Sequence, residues 1–388
     1  MSVTVLASVE TSPERAAATL SVARLAATRF RCYESARLEL DPRPVVLTGP
    51  NGAGKTNLLE AVSLLAPGRG LRRATLSEMD RQGDAGGWGV AATITTPDGP
   101  VEIGTGREPE GERRVVRIDG EPARGQTALA DHVSALWLTP DMDRLFREGA
   151  YGRRRFLDRL VYGFDPAHAG RVAAYDQAMR ERGRLLRDGN GDAAWLSALE
   201  ETMAARGVAI AAARLDMVRR LDHALAGARG PFPGVILAVT GTVETWLGEG
   251  PALAAEDRLK DALQGNRTMD AESGTTAIGP HRSDLEARHL AKDMPAAQCS
   301  TGEQKAMLIA IVLAEARLQA AERGVAPLLL LDEVAAHLDE DRRASLFDEV
   351  CGLAGQTWMS GTDDGLFAAL DHRAQRYTVA DATVTRMS

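Results

Sequence analysis

The chain has 388 residues, 44% of them hydrophobic and 26% charged, with a formal net charge of −8. That length holds two or three globular domains, and the three scattered cysteines (Cys32, Cys299, Cys351) have no metal-ligand spacing, which excludes a disulfide scaffold or a zinc site and fits a reduced cytoplasm. No apolar run approaches the roughly 18–20 residues of a membrane span, and the acidic balance excludes constitutive tight binding to nucleic-acid backbones while allowing a local basic surface.

Residues 1–19 are polar and alanine-rich, with Glu10 and Glu14 among them, and lack the basic start and apolar core of a signal peptide. They read as a disordered extension. Strand-like segments follow at 22–27, 36–40 and 45–48. Then Gly49, Pro50, Asn51, Gly52, Ala53, Gly54, Lys55 and Thr56 match the phosphate-loop pattern G-x-x-x-x-G-K-[ST], and Asn57 continues it. Val45, Val46 and Leu47 before the loop read as a buried strand. Leu58, Leu59, Val62 and Leu65 after it recur at helical spacing. Such a turn gathers backbone N–H groups at the positive end of a helix, which suits a polyphosphate. Lys55 is one of four lysines (with Lys260, Lys292 and Lys305) among 46 basic residues. A chain so biased to arginine has a reason to place lysine here: a slim ammonium reaches the β and γ phosphates where a guanidinium fork is too broad.

Further strand-like segments lie at 87–96, 101–104, 114–119 and 135–138. Residues 167–228 then read as two long helices joined by a turn at 188–192, an αα-hairpin without enough heptads for a long coiled coil. Strand patterns return at 235–242 and after 279. A mainly helical insert (146–269) therefore interrupts an α/β head (20–145 and 270–388). Arg153, Arg154 and Arg155 on a helix fan over about 200° and cannot share one face. Arg180, Arg182, Arg184 and Arg187 are interleaved with Asp176, Glu181 and Asp188. Two readings stand for them: a solvated face of ion pairs, or a DNA contact. Trp137, Trp195 and Trp246 suit core packing better than base stacking.

Three blocks remain. In Gly279-Pro280-His281-Arg282-Ser283-Asp284-Leu285, spacing gives His281 no metal or general-base role. In Cys299-Ser300-Thr301-Gly302-Glu303-Gln304-Lys305, Ser300 reads as a helix cap, and Gly302 permits close backbone approach. The run 328–331 reads as a central parallel strand, with Asp332 and Glu333 at its C-terminal end, where open α/β sheets place their ligands.

Together these blocks resemble the ABC-type ATPases. The resemblance implies ATP and Mg²⁺ as ligands. Asp332, in the Walker B position, would hold the metal beside Thr56, and Glu333 would act as general base. Ser300 and Gly302 lie in the signature motif, which in that family touches the γ-phosphate held by a second copy across a head-to-tail dimer. Asp339 matches the D-loop aspartate. Within this group the chain resembles the RecF recombination mediators of bacteria, from about residue 20 to its C-terminus. The matching segments are Arg29-Phe30-Arg31-Cys32-Tyr33, Asn57-Leu58-Leu59-Glu60-Ala61, Pro67-Gly68-Arg69-Gly70, Arg153 through Asp158, and Gly279 through Leu285. Cys32 and Ser283 depart from the family's usual asparagine and aspartate. Thr362 stands where a transporter ATPase carries a histidine, and Pro140 through Asp143 take the Q-loop position without an assigned role. The resemblance implies a cytoplasmic protein that dimerises on ATP at gapped or single-strand/duplex junction DNA. It would act in recombinational repair and replication, assisting RecA loading with RecO and RecR. Slow hydrolysis would reset the dimer. A transporter's nucleotide-binding subunit, or another SMC-like chromosome protein, is the alternative.

Overall fold

The computed structural model describes residues 19–83, 86–189, 192–226 and 231–387. The elements in chain order are β1 (Ser21–Phe30), β2 (Tyr33–Glu39), β3 (Val45–Thr48), α1 (Lys55–Ser63), β4 (Trp88–Thr96), β5 (Gly99–Arg107), β6 (Arg114–Ile118), β7 (Glu121–Pro122), β8 (Ala135–Leu138), α2 (Ala150–Tyr162), α3 (Ala167–Asp188) and α4 (Ala193–Ala226). They continue with β9 (Val235–Thr240), α5 (Thr242–Glu249), α6 (Ala252–Gly265), α7 (Arg267–Ser273), β10 (Asp284–His289), β11 (Met294–Pro295), α8 (Thr301–Arg323), β12 (Leu328–Leu331), α9 (Glu340–Gly352), β13 (Thr357–Gly361), β14 (Gln375–Ala380) and β15 (Thr383–Arg386). Except for Thr19, the 1–19 segment lies outside the described residues, as do two residues of the expected 188–192 turn.

The central sheet runs β15-β14-β3-β13-β12-β8, parallel except for β15. Strands β3, β12 and β13 are short and buried along their whole length because both faces of the sheet are covered there. Val45, Leu47, Leu328, Leu330 and Trp358 point into a core shared with α1 and the antiparallel sheet β2-β1-β4-β5-β6-β7. Val46, Leu329, Leu331 and Met359 point into a second core, filled by α8, α9 and α2. The phosphate-loop strand β3 and the acidic strand β12 are not neighbours; β13 lies between them. In that register Gly361 pairs with Thr48, and Met359 with Leu331, so three loops leave the same edge of the sheet.

The helical region has its own core, with Tyr175, Met203, Val208 and Leu259 among its buried members. Its helices α3 and α4 form the antiparallel pair expected from 167–228. β9 pairs with β10, so a small sheet β11-β10-β9 joins this region to the residues that lead into α8. Arg182 is fully buried and belongs to neither reading of the arginine-rich stretch. It binds Glu200 at 2.9 Å, Asp270 at 2.7 Å and the Leu263 carbonyl at 2.7 Å. Arg184 keeps the surface reading, pairing with Glu181 and Asp188. No tryptophan of the three singled out is fully buried: Trp137 and Trp246 carry guanidiniums of Arg159 and Arg258 on their rings, and Trp195 is exposed.

One buried acid carries a pH-dependent penalty. Glu315 of α8 is fully buried, accepts one bond from Gln319 Nε2 at 2.9 Å, and has a second oxygen without a partner. Burial pushes its pKa up to about 8, against a weaker opposing pull from Gln319 and Arg220. The folded protein thus keeps this proton over a range where the unfolded chain has lost it. Stability falls as pH rises from about 4.5 to about 8, by something on the order of 5 kcal/mol. Glu315→Gln should therefore melt close to the parent at pH 5 and several degrees above it at pH 8.5. Parallel pH dependences for the two proteins, in thermal melts, would refute this.

Candidate functional site

At the shared edge of the central sheet, Gly49 to Gly54 lead from β3 into α1. Gly49 has φ +146°, and a Cβ there would collide with the Val379 carbonyl oxygen of β14. Gly54 caps α1 in the left-handed region, where a Cβ would stand 2.6 Å from the Tyr33 hydroxyl and 2.8 Å from Cys32 Sγ. Only glycine fits either position. No side chain caps α1, which leaves its first N–H groups for a ligand. Lys55 Nζ donates to the carbonyls of Gly49 at 2.7 Å and Pro50 at 2.9 Å. Burial lowers its pKa, while the charges of Glu333 and Asp332 push the other way.

Thr56 Oγ1 donates to Asp332 and lies 3.0 Å from each carboxylate oxygen. Sequence separated these residues by 276 positions; the sheet brings them together. Hard oxygen donors side by side, below an uncapped helix end, fit a magnesium polyphosphate. Glu333 follows in the left-handed region, with φ 53°. Its backbone carbonyl accepts from Lys305 Nζ at 3.4 Å, and that ammonium also lies 3.5 Å from Asp143, in the Q-loop position. Lys305 is nearly buried, and burial pulls its pKa down.

Ser300 and Gly302 stand apart from this cluster. Ser300 caps α8 in a reciprocal box: its Oγ accepts from Glu303 N at 3.3 Å, and its own N–H reaches Glu303 Oε2 at 2.9 Å. Asp339 caps α9, accepting from Arg342 N at 2.9 Å. Both are exposed and engaged locally. Asn57 donates to Cys32 Sγ at 3.1 Å and accepts from Arg72 NH1 at 2.8 Å. Pro50, Asn51, Gly52 and Ala53 complete the loop. Arg31 grips the buried Glu60 of α1 through two bonds, at 2.8 and 2.7 Å. His281 lies in the helical region, between Tyr175 OH at 2.7 Å and the Thr276 carbonyl at 3.0 Å; burial lowers its pKa.

Ser360 escaped the sequence reading. Thr362, which stands where a transporter ATPase carries a histidine, has an exposed side chain. Ser360, two residues earlier and buried, donates to Asp332 Oδ1 at 2.6 Å and accepts from Glu333 N at 2.9 Å. One hydroxyl thus holds the Asp332 carboxylate and the Glu333 backbone. It can do so because β13 lies between β3 and β12, an order that only the folded sheet reveals. Ser360→Ala should lower ATP turnover by about 10-fold or more and raise the Mg²⁺ concentration needed for half-maximal rate. Ser360→Thr should restore most of both. Steady-state kinetics at varied Mg²⁺ would check this, and an unshifted Mg²⁺ dependence in Ser360→Ala would rule it out.

The RecF/RecN/SMC N-terminal domain family matches residues 21–359. The chain is 52% identical over 362 residues to a DNA replication and repair protein RecF of Allorhizobium ampelinum, covering 92% of this chain and 96% of that protein. It is 50% identical over 371 residues to the Rhizobium etli protein of the same name, covering 94% and 98%. Among solved structures, the recombination mediator protein RecF-ATPrS in the RecFOR pathway superposes with a TM-score of 0.83 at 20% identity, covering 95% of this chain and 99% of that one. The Smc head domain from Pyrococcus furiosus, bound to the C-terminal domain of ScpA, gives a TM-score of 0.53 at 17% identity, with 95% and 97% covered.

Proposed function

The chain belongs to the RecF/RecN/SMC N-terminal domain family, and we propose from that membership and from the site that it is an ATP-dependent DNA-binding protein of recombinational repair and replication. The observation that carries this reading is the convergence of Thr56 and Ser360 on Asp332, beside Lys55 and Glu333. Lys55 releases its loop carbonyls and binds the β and γ phosphates of ATP. Thr56 and Asp332 would hold Mg²⁺, which when bound neutralises charge on those phosphates. Glu333 orients the attacking water and takes its proton. The α8 N-terminus, with Ser300 and Gly302, serves the nucleotide of a second copy, and Asp339 lines the same junction. The protein therefore closes as a head-to-tail homodimer on ATP, and hydrolysis reopens it.

Residues 20–145 and 270–388 serve as the head, and 146–269 as the inserted domain. The relatives' names give the setting, DNA replication and repair, and the RecFOR pathway named for the solved structures supports RecO and RecR as partners. On this reading the protein assists RecA loading at gapped or junction DNA in the cytoplasm. Among the described residues no helix is long and apolar enough to cross a membrane. The test is fluorescence anisotropy of a labelled gapped duplex, with and without Mg-ATP. Binding that needs ATP and vanishes in Lys55→Met supports the reading. Absence of binding in both states, with ATPase activity intact, overturns the DNA role.

A further inference from the structure

Several arginines of this protein are paired with acids. Around the site, Arg72 is 3.6 Å from Glu60, Arg153 binds Asp284 through two 2.7 Å bonds, and Arg214 binds Asp158 at 2.8 and 2.9 Å. Others form no ion pair among the described residues, and four of these converge beside α2. Arg155 and Arg159 lie one turn apart on α2, and each has a buried Nε with no hydrogen-bond partner. Arg155 stacks on the ring of Tyr151 at 5.3 Å, and that tyrosine is 64% exposed. Arg159 lies over Trp137 at 4.7 Å and gives one N–H to the Trp137 carbonyl at 3.1 Å.

Arg73 and Arg69, from the loop after α1, approach the same place. Arg73 is held in the left-handed region with φ 56°. Burial first, and then the charges of Arg155 and Arg69, lower its pKa. Burial, Arg155 and Arg73 bring Arg159 down to about 9, still cationic at neutral pH. Glu315 is the acid whose charge raises the pKa of Arg159, and burial pushes its own pKa up to about 8. Among the described residues no carboxylate forms an ion pair with any of the four. The chain has 54 acidic residues to choose from. Four like charges from two segments, left without a counter-charge, repel one another until an anion joins them. Planar guanidiniums suit phosphate oxygens. Their spread over two segments suits several phosphates on one strand better than a single ion, and the polyphosphate of a nucleotide already has its place at Lys55.

We propose that Arg69, Arg73, Arg155 and Arg159 form a docking surface for consecutive phosphates of a DNA backbone, with Tyr151 at its rim. This rests on the DNA-binding reading above. The test uses the full chain carrying Arg73→Gln and Arg155→Gln, with a labelled duplex and Mg-ATP, titrated between about 50 and 200 mM salt. DNA affinity should fall about 10-fold or more, and the slope of log affinity against log salt should shrink by about two, near 0.9 per lost phosphate contact. Affinity for a fluorescent ATP analogue and the melting temperature should stay unchanged. Arg73→Gln alone should shrink the slope by about one, and this keeps the test open if the double variant folds poorly. An unchanged slope in a folded variant overturns the surface while leaving DNA binding standing. Wild-type protein that binds no DNA overturns both. Lost ATP affinity at an intact melting temperature also overturns the assignment and gives the cluster to the nucleotide.

Discussion

Lys55→Met should lose ATP affinity by about 100-fold or more and lose ATP-dependent DNA binding with it. The ammonium is almost fully buried in a ring of its own loop's carbonyls. Burial lowers its pKa, and the charges of Glu333 and Asp332 oppose that effect. Methionine keeps an unbranched stem, one atom shorter, but carries no charge. The Gly49 and Pro50 carbonyls then lose their donor, at a cost of about 1–3 kcal/mol, so the melting temperature should drop modestly while the fold survives. What disappears is the one mobile cation in the loop. Lys55→Arg should fail too, because Gly49 is jammed against Val379 and the loop cannot widen to admit a planar fork. Titration with a fluorescent ATP analogue measures both. Binding within about threefold of wild type would remove Lys55 from its role.

Sequence reading went furthest where function is local. The phosphate loop needs consecutive residues, and its glycines announce backbone angles that the structure has at Gly49 and Gly54. The apolar run 328–331 ending in two acids was equally legible, because a strand covered on both faces has that composition. Ser360 was not legible. A serine ending a strand carries no signal until the strand order places it between the loop and the two acids. Arg72 and Lys305 were missed for the same reason: their partners, Asn57 in one case and the Glu333 carbonyl in the other, are set by tertiary packing. Arg182 shows the opposite failure. Its neighbours in sequence are charged, so it reads as surface, yet it lies fully buried between Glu200 and Asp270. Helical spacing separated Arg153, Arg154 and Arg155 correctly, but not their roles. Two bind Asp284 and the Ser283 carbonyl, while the third joins the unpaired cluster.

Glu333→Gln should keep ATP affinity and lower hydrolysis by about 100-fold or more, the scale of a lost general base. The substitution spares the backbone. Glu333 holds its left-handed angle through its N–H on Ser360 and its carbonyl on Lys305, and neither bond involves the carboxylate. Single-turnover hydrolysis and nucleotide affinity should therefore separate cleanly. The ATP-bound, DNA-bound dimer should accumulate, visible as a slower dissociation from duplex in anisotropy chase experiments. Ser360→Ala also slows hydrolysis, but by loosening Asp332 as well as Glu333, so it shifts the Mg²⁺ requirement where Glu333→Gln does not. That contrast divides chemistry from alignment. A Glu333→Gln protein that still turns over ATP at the wild-type rate would mean that water is activated elsewhere. Asp332 would be the next acid to test, since Thr56 and Ser360 already hold its carboxylate in place.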